Sequence, residues 1–306
     1  MNILFSSDDN YARHLGVAIY SILLHNKQVE KIHLYVIKNQ IDRLNITKLE
    51  SVVNAFNNAD LSFVSFDSIK TQLHLNLAWP ISLSSYARLF IGEMLPDNVE
   101  KVLYLDCDVV INDSLEELWK TELNGHIIGA VQDTIPSNTK VSVGLLSEQP
   151  YFNAGVLLVD LIQWRINGMG KKCLDFIDSY GGRVTHHDQG VLNGILKDQW
   201  SRIPLKYNVM TIHYMLSPTK VKNYYKDESV YYDSEEIKTA KKHPIILHFT
   251  PSFTSHPWEN YCAHPCRYLY NKYLDCTPWS GTPKEKAVIP WYVRVYYLRF
   301  RFLPVF

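Results

Sequence analysis

Asn2–Leu23 reads NILFSSDDNYARHLGVAIYSIL. Asn2–Ser6 is a short apolar run and Ser7-Asp8-Asp9-Asn10 a polar elbow. Leu15, Ala18, Ile19, Ile22 and Leu23 then recur at three- and four-residue spacing, which predicts one buried helix face. A strand that turns on acidic residues into a helix is half of a βαβ unit, and the pattern continues outward. Lys31–Ile37 (KIHLYVI) alternates as a strand does, Ile41, Leu44, Leu49 and Val52 mark a second helix, and Leu61–Phe66 a further strand. Lys101–Leu105 (KVLYL), Ile127–Val131, Phe152–Val159 (FNAGVLLV) and Ile245–Phe249 extend the set. Strands separated by helical patterns predict an α/β fold, a mostly parallel sheet with helices on its faces. Chemistry in such a sheet sits beyond the C-terminal strand ends, near the switch in strand order. Asp8-Asp9 follows the first strand, and Asp106-Cys107-Asp108 follows KVLYL.

The chain has 306 residues, 46% hydrophobic and 20% charged, enough to bury a sizeable core. Lys plus Arg and Asp plus Glu are both 31, so there is no basic field of the kind a nucleic-acid backbone demands. Five scattered cysteines do not make a disulfide framework. Acidic residues at positions 8 and 9 do not suit a signal peptide, and no run of apolar residues is long enough to span a bilayer. The expectation is a soluble, intracellular protein. From about residue 200 the loops lengthen and aromatics become frequent. A Gly/Pro/Lys linker follows Trp279, which sets a domain of residues 1–280 and a tail of 281–306. Residues 289–306 combine Trp291, Tyr292, Tyr296, Tyr297, Phe300, Phe302 and Phe306 with Arg294, Arg299 and Arg301 and no acid. That composition suits the interface of an anionic bilayer; a segment docked on the body of the protein is the alternative.

In Asp106-Cys107-Asp108, carboxylates at i and i+2 on extended chain point the same way. Hard oxygen ligands so placed suit Mg²⁺ or Mn²⁺, although a turn cap after a strand reads the same by sequence. His248 closes the late strand, where a histidine is ordinarily a satisfied core residue. Beside two carboxylates, its neutral imidazole would favour Mn²⁺ over Mg²⁺. Cys262-Ala263-His264-Pro265-Cys266 lacks the second ligand pair that zinc needs.

In order along the chain, Phe5–Tyr11 (FSSDDNY), Ser85–Glu93 (SYARLFIGE), Lys101–Trp119 (KVLYLDCDVVINDSLEELW), Tyr151–Trp164 (YFNAGVLLVDLIQW), Asp188–Gly194 (DQGVLNG), Pro204–Asn208 (PLKYN) and His248–Trp258 resemble the family 8 glycosyltransferases. These are retaining enzymes of the GT-A fold, and the resemblance is nearest to the bacterial lipopolysaccharide and capsule α-galactosyl- and α-glucosyltransferases. It implies Asp106, Asp108 and His248 as Mn²⁺ ligands, with Mg²⁺ as the substitute. Ser7, Asp8, Asn10 and Tyr11 would contact uracil and ribose, although Asp8 also reads as a helix cap. The backbone at Cys107 would lie against the nucleotide, and Arg88 near the donor sugar and diphosphate rather than in a helix-surface ion pair. Asp133, Asn153, Ala154, Gly155, Asp188 and Gln189 would line the donor sugar, with Gly155 clearing space for the backbone to approach it.

Two departures from the family pattern stand out. The run from His248 to Trp258 is two residues longer than in many relatives, and His256 stands where they place a pyrophosphate-binding lysine. An imidazole there predicts a steeper pH dependence than a lysine would give. Gly190 follows Gln189 where relatives often carry an acid, which predicts a wider wall.

The reaction so implied is transfer of galactose or glucose from a UDP-sugar to a hydroxyl of a glycan or lipid-linked acceptor in surface polysaccharide synthesis, with anomeric configuration kept. An amide at position 189 in place of a carboxylate favours front-face attack over a covalent intermediate. The tail would attach the enzyme to the inner face of the cell membrane. A metal-dependent nucleotidyltransferase or pyrophosphatase is the competing enzyme, but it would need a basic phosphate-cradling loop where FSSDDNY is acidic. A sugar-nucleotide-binding protein without turnover is the non-enzyme alternative.

Overall fold

A computed structural model describes residues 1–76, 83–227 and 229–287. Ten strands are present among them: β1 (Asn2–Asp8), β2 (Ile32–Asn39), β3 (Ala59–Ser65), β4 (Lys101–Leu105), β5 (Val109–Ile111), β6 (Ile128–Asp133), β7 (Tyr151–Asp160), β8 (Trp200–Arg202), β9 (Val209–Met210) and β10 (Ile246–His248). Seven form one sheet in the order β3-β2-β1-β4-β7-β6-β8, and β5-β10-β9 form a second. The expected α/β architecture is therefore present, with helices packed on the larger sheet.

The chain runs outward from β1 to β2 and β3, all parallel, then returns to place β4 on the other side of β1. This is the switch in strand order, and the elbow after β1 and the turn after β4 lie there together. Strand β7 departs from the expected direction: it pairs antiparallel with both β4 and β6. Apolar alternation carries no information on strand direction, so FNAGVLLV looked like one more parallel strand. The reversal matters for the site, because it brings the beginning of β7, with Asn153, Ala154 and Gly155, to the edge where β1 and β4 end.

The helix Ala12–His25 buries Leu15, Ala18, Ile19, Ile22 and Leu23 as its spacing predicts. It also buries His14, Val17 and Ser21, because β5 of the second sheet and the helix Arg267–Leu274 cover its other face. Leu44, expected on a buried face, is solvent-exposed on the helix Arg43–Asn54. The core divides into two apolar clusters on opposite faces of the large sheet. All five cysteines are free. Among the described residues no helix is long and apolar enough to cross a membrane. Residues 281–287 lie back on the body: Glu285 pairs with Arg13, and its N–H donates to the Trp258 carbonyl. The aromatic and basic segment 289–306 lies outside the described residues.

Candidate active site

Asp106 and Asp108 sit in the turn that leaves β4 and enters β5, not on extended chain as their spacing suggested. The turn is pinned at both ends. Asp106 N–H donates to the Gly155 carbonyl at 2.8 Å, and the Asp108 carbonyl accepts from Phe249 N–H at 2.9 Å. The second bond ties the turn to the residue after β10, which presents His248. His248 Nε2 lies 3.1 Å from Asp108 Oδ1 and 3.9 Å from Asp106 Oδ2. Asp106, Asp108 and His248 are the one group of three metal-capable side chains among the described residues, with ligand atoms within 4.8 Å of one another. Cys262, His264 and Cys266 do not form such a group. Instead His264 Nδ1 accepts from the Cys266 N–H at 3.1 Å.

The donor set fits a divalent cation. Asp106 Oδ1 is already taken by Arg88 Nη2 at 2.8 Å and by the Tyr104 hydroxyl at 3.0 Å. This leaves Oδ2 facing His248. Gly155 supplies the room: a Cβ there would stand 2.3 Å from His248 Cε1 and 2.7 Å from Asp106 Oδ2. The absent side chain therefore makes space for His248 and Asp106 beside the strand. The site is strongly polarised. Burial pushes the Asp108 carboxyl up, but the charge and hydrogen bond of His248 outweigh it and hold the group well below the usual carboxylate range. Burial opposes charge on His248, and Asp108 and Asp106 overcome this and raise it.

Arg88 is buried rather than on a helix surface. It lies in the 3₁₀ segment Leu83–Phe90, its guanidinium 4.6 Å above the Tyr104 ring. Its fork donates to Asp106, to the Ala154 carbonyl at 2.6 Å and to the Ser85 carbonyl at 3.0 Å, and pairs with Asp188 at 2.9 Å. Burial disfavours its charge and lowers its pKa, and the two carboxylates more than restore it. Asp188 is raised by its own burial, with Arg88 opposing.

Beyond Arg88 lies a second cluster. Asp133 Oδ2 accepts from Asn153 Nδ2 and from Gln189 Nε2, both at 3.1 Å. Gln189 Oε1 accepts from Ala154 N–H at 3.0 Å. Gly190 does not widen this wall, because a Cβ there would meet the Thr185 carbonyl oxygen at 1.9 Å. Glycine at 190 is demanded by a backbone contact.

On the opposite rim, Asp8 caps the turn Asp9–Tyr11 by accepting from Tyr11 N–H, while Asn10 and Tyr11 are exposed. The Cys107 thiol donates to the Ser6 carbonyl beside Ser7, and burial pushes that thiol up. Tyr11 is 38% exposed as a whole residue, yet desolvation of its phenol, followed by the charges of Asp108, Cys107, Asp106 and Asp8, raises that group. His256 stacks on Trp258 at 4.4 Å, Trp258 stacks on His14 at 3.7 Å, and Tyr11 meets Trp258 edge-on at 6.3 Å. The reading from sequence missed Tyr104, Glu259, which grips His256 through its N–H and Nδ1, and Asn208. Only Asn208 left a signal, as the last residue of the PLKYN block.

Residues 2–262 match the family described as Glycosyl transferase family 8. General stress protein A of Bacillus subtilis is 28% identical over 288 residues, spanning 92% of this chain and 96% of that protein. The lipopolysaccharide 1,2-glucosyltransferase of Escherichia coli K12 is 27% identical over 296 residues, 94% of this chain and 82% of that one. Among solved structures, galactosyltransferase LgtC in complex with donor and acceptor sugar analogs superposes with a TM-score of 0.74 at 26% identity, covering 97% of this chain and all of that one. The chain belongs to glycosyltransferase family 8, and its fold is the GT-A fold of that galactosyltransferase.

Proposed function

We propose that this protein is a Mn²⁺-dependent, retaining hexosyltransferase that moves galactose or glucose from a UDP-sugar to a glycan or lipid-linked saccharide in surface polysaccharide synthesis. The observation that carries the reading is the joining of Asp106, Asp108 and His248 to Asp133, Asn153 and Gln189 through Arg88 and a line of buried amides. The related lipopolysaccharide glucosyltransferase and LgtC galactosyltransferase support hexose as the cargo. The acidic, non-basic loop after β1 speaks against the nucleotidyltransferase alternative, since it offers no cradle for a free triphosphate.

Asp106, Asp108 and His248 would hold the cation, whose charge would offset that developing on the departing diphosphate. Ser7, Asp8, Asn10, Tyr11 and the Cys107 backbone form the nucleoside wall, and His256 faces the diphosphate. Asp133, Asn153, Ala154 and Gln189 read the hexose hydroxyls, while Asp188 acts through Arg88. The acceptor hydroxyl bonds to the anomeric carbon on the face from which UDP leaves, and its proton passes to the departing diphosphate oxygen. The carboxylates on that wall support front-face attack over a covalent sugar. Asp133 Oδ2 takes two amide bonds and its Oδ1 accepts from Thr134 N–H, while Asp188 is bound to Arg88. Carboxylates so engaged are poor nucleophiles.

A cavity of about 420 Å³ opens beside Thr134, lined by Asn223, Asp227, Tyr231 and Tyr232 among others. Asp227 Oδ2 is buried there without a hydrogen-bond partner in the protein, which suits a hydroxyl of the acceptor saccharide. The basic, aromatic segment 289–306 would hold the enzyme on the inner face of an anionic membrane near such an acceptor.

The test is UDP release by purified protein across UDP-galactose, UDP-glucose and their N-acetyl forms, with Mn²⁺ and then with EDTA. Slow release from one hexose donor that EDTA abolishes supports the reading. Absence of both release and Mn²⁺-dependent UDP binding overturns it.

A further inference from the structure

The cation site and the sugar wall share one buried hydrogen-bond line, and its direction can be deduced without observing a hydrogen. Asn153 is held between two groups of fixed character. Gly155 N–H can only donate and lies 3.0 Å from one amide terminus of Asn153, while Asp133 Oδ2 can only accept and lies 3.1 Å from the other. The oxygen of Asn153 must therefore face Gly155 and its nitrogen Asp133. Asn208 lies 2.9 Å from that same Asn153 oxygen, so the atom it presents is its nitrogen. Its own oxygen then faces His248 Nδ1, at 2.9 Å, and an amide oxygen requires a hydrogen on that ring nitrogen. The neutral ring that binds a cation must then carry its lone pair on Nε2, the nitrogen aimed at Asp108 and Asp106.

We propose that Asn208 is the positioning residue of this site. It fixes the tautomer of His248 in a direction dictated by Asp133 and the Gly155 backbone, and so couples cation binding to the geometry of the donor-sugar wall. The inference rests on the cation reading of Asp106, Asp108 and His248 given above. Asn208 suits the task by its placement. It is fully buried at the entry to β9, whose Met210 pairs in register with His248 of β10. Partners that donate or accept through the far nitrogen of a metal-binding histidine ordinarily contribute about 10- to 100-fold in metal affinity. Here the partner is an amide, whose nitrogen donates onward to the Asn153 oxygen, which a carboxylate or a carbonyl could not do.

That difference separates two substitutions. Asn208→Leu removes both arms and should weaken Mn²⁺ binding by about 10- to 100-fold. Asn208→Asp keeps an oxygen for His248 Nδ1–H but sets a second oxygen against that of Asn153. It should therefore retain Mn²⁺ while lowering kcat and blurring the choice between UDP-galactose and UDP-glucose. Mn²⁺ binding is read from loss of the free-ion electron paramagnetic resonance signal, in the presence of UDP, on full-length protein whose melting temperature is checked. The tautomer is read independently on wild-type protein by ¹⁵N-histidine spectra with Mg²⁺ and UDP, with His248→Gln identifying the signal. A Nδ1–H ring supports the proposal, and a Nε2–H ring overturns it whether or not the leucine variant folds. Unchanged Mn²⁺ affinity in folded Asn208→Leu, or loss of Mn²⁺ and retained donor choice in Asn208→Asp, also overturns it. If wild-type protein binds no Mn²⁺, the cation reading itself falls, a result distinct from equal binding by wild type and variant.

Discussion

Gly155→Ala tests the cation role proposed for Asp106, Asp108 and His248 apart from the rest of the fold. Gly155 lies within β7 and is not among the residues of positive φ, so alanine fits the backbone without strain. The added Cβ would stand 2.3 Å from His248 Cε1 and 2.7 Å from Asp106 Oδ2. Carbon atoms rest at about 3.5–4.0 Å, so the ring must retreat by more than about 1 Å. Metal sites tolerate about 0.2 Å in ligand distance. The retreat therefore takes His248 out of the ligand set, and Mn²⁺ affinity should fall at least as far as the about 10- to 100-fold seen when a ligand's supports are removed. The overpacking should cost only about 1–3 kcal/mol of stability, so the variant folds. Mn²⁺ titration with UDP present, beside a thermal melt, measures both. Unchanged Mn²⁺ affinity in folded Gly155→Ala would refute the claim that these three side chains hold the cation.

Three further outcomes are expected. Lys140 is fully buried against Asp227, so Lys140→Met leaves a buried carboxylate unpaired and should cost about 3–5 kcal/mol in urea unfolding, with part recovered by adding Asp227→Asn. Burial lowers His213 to about 4, so the fold keeps this ring neutral where the unfolded chain would protonate it. Its contribution is present above about pH 6.5 and is lost as pH falls toward 4, near 2 kcal/mol by about pH 5. His213→Gln should remove that part of the acid dependence, and an unchanged difference between neutral and acid unfolding curves would contradict it. His256→Lys sets a permanent cation where the diphosphate is proposed to lie and should lower KM for the UDP-sugar; an unchanged KM counts against the assignment.

The alternation of strands and helices in the first half, the acidic residues following β1 and β4, and the union of Asp106, Asp108 and His248 were legible from the residues or from the resemblance, whereas the short strands β5, β8 and β9 were not. What escaped was set by atoms distant in sequence. Alternation in FNAGVLLV reveals a strand but not its direction, and only its pairing with β4 turns Gly155 toward His248. The glycine at 190 answers to the Thr185 carbonyl, and that at 155 to two side chains. In each case a missing Cβ says that something is close without saying what. Arg88 is singled out by the resemblance, but its two carboxylate partners arrive from the turn after β4 and from position 188, which no local pattern around Arg88 reveals. Asn208 enters only as the last residue of the PLKYN block, since its contact with His248 depends on a parallel pairing of β9 with β10.

The turn Asp106–Asp108 leaves one sheet and enters the other, and His248 ends a strand of the second sheet alone. A cation held by these three side chains would be a rivet across the seam between the sheets. Its free energy of binding would add to the cohesion of the whole chain by mass action. Starvation for the metal would then loosen the protein as well as silence it, and the enzyme's lifetime in the cell would follow the supply of its cation.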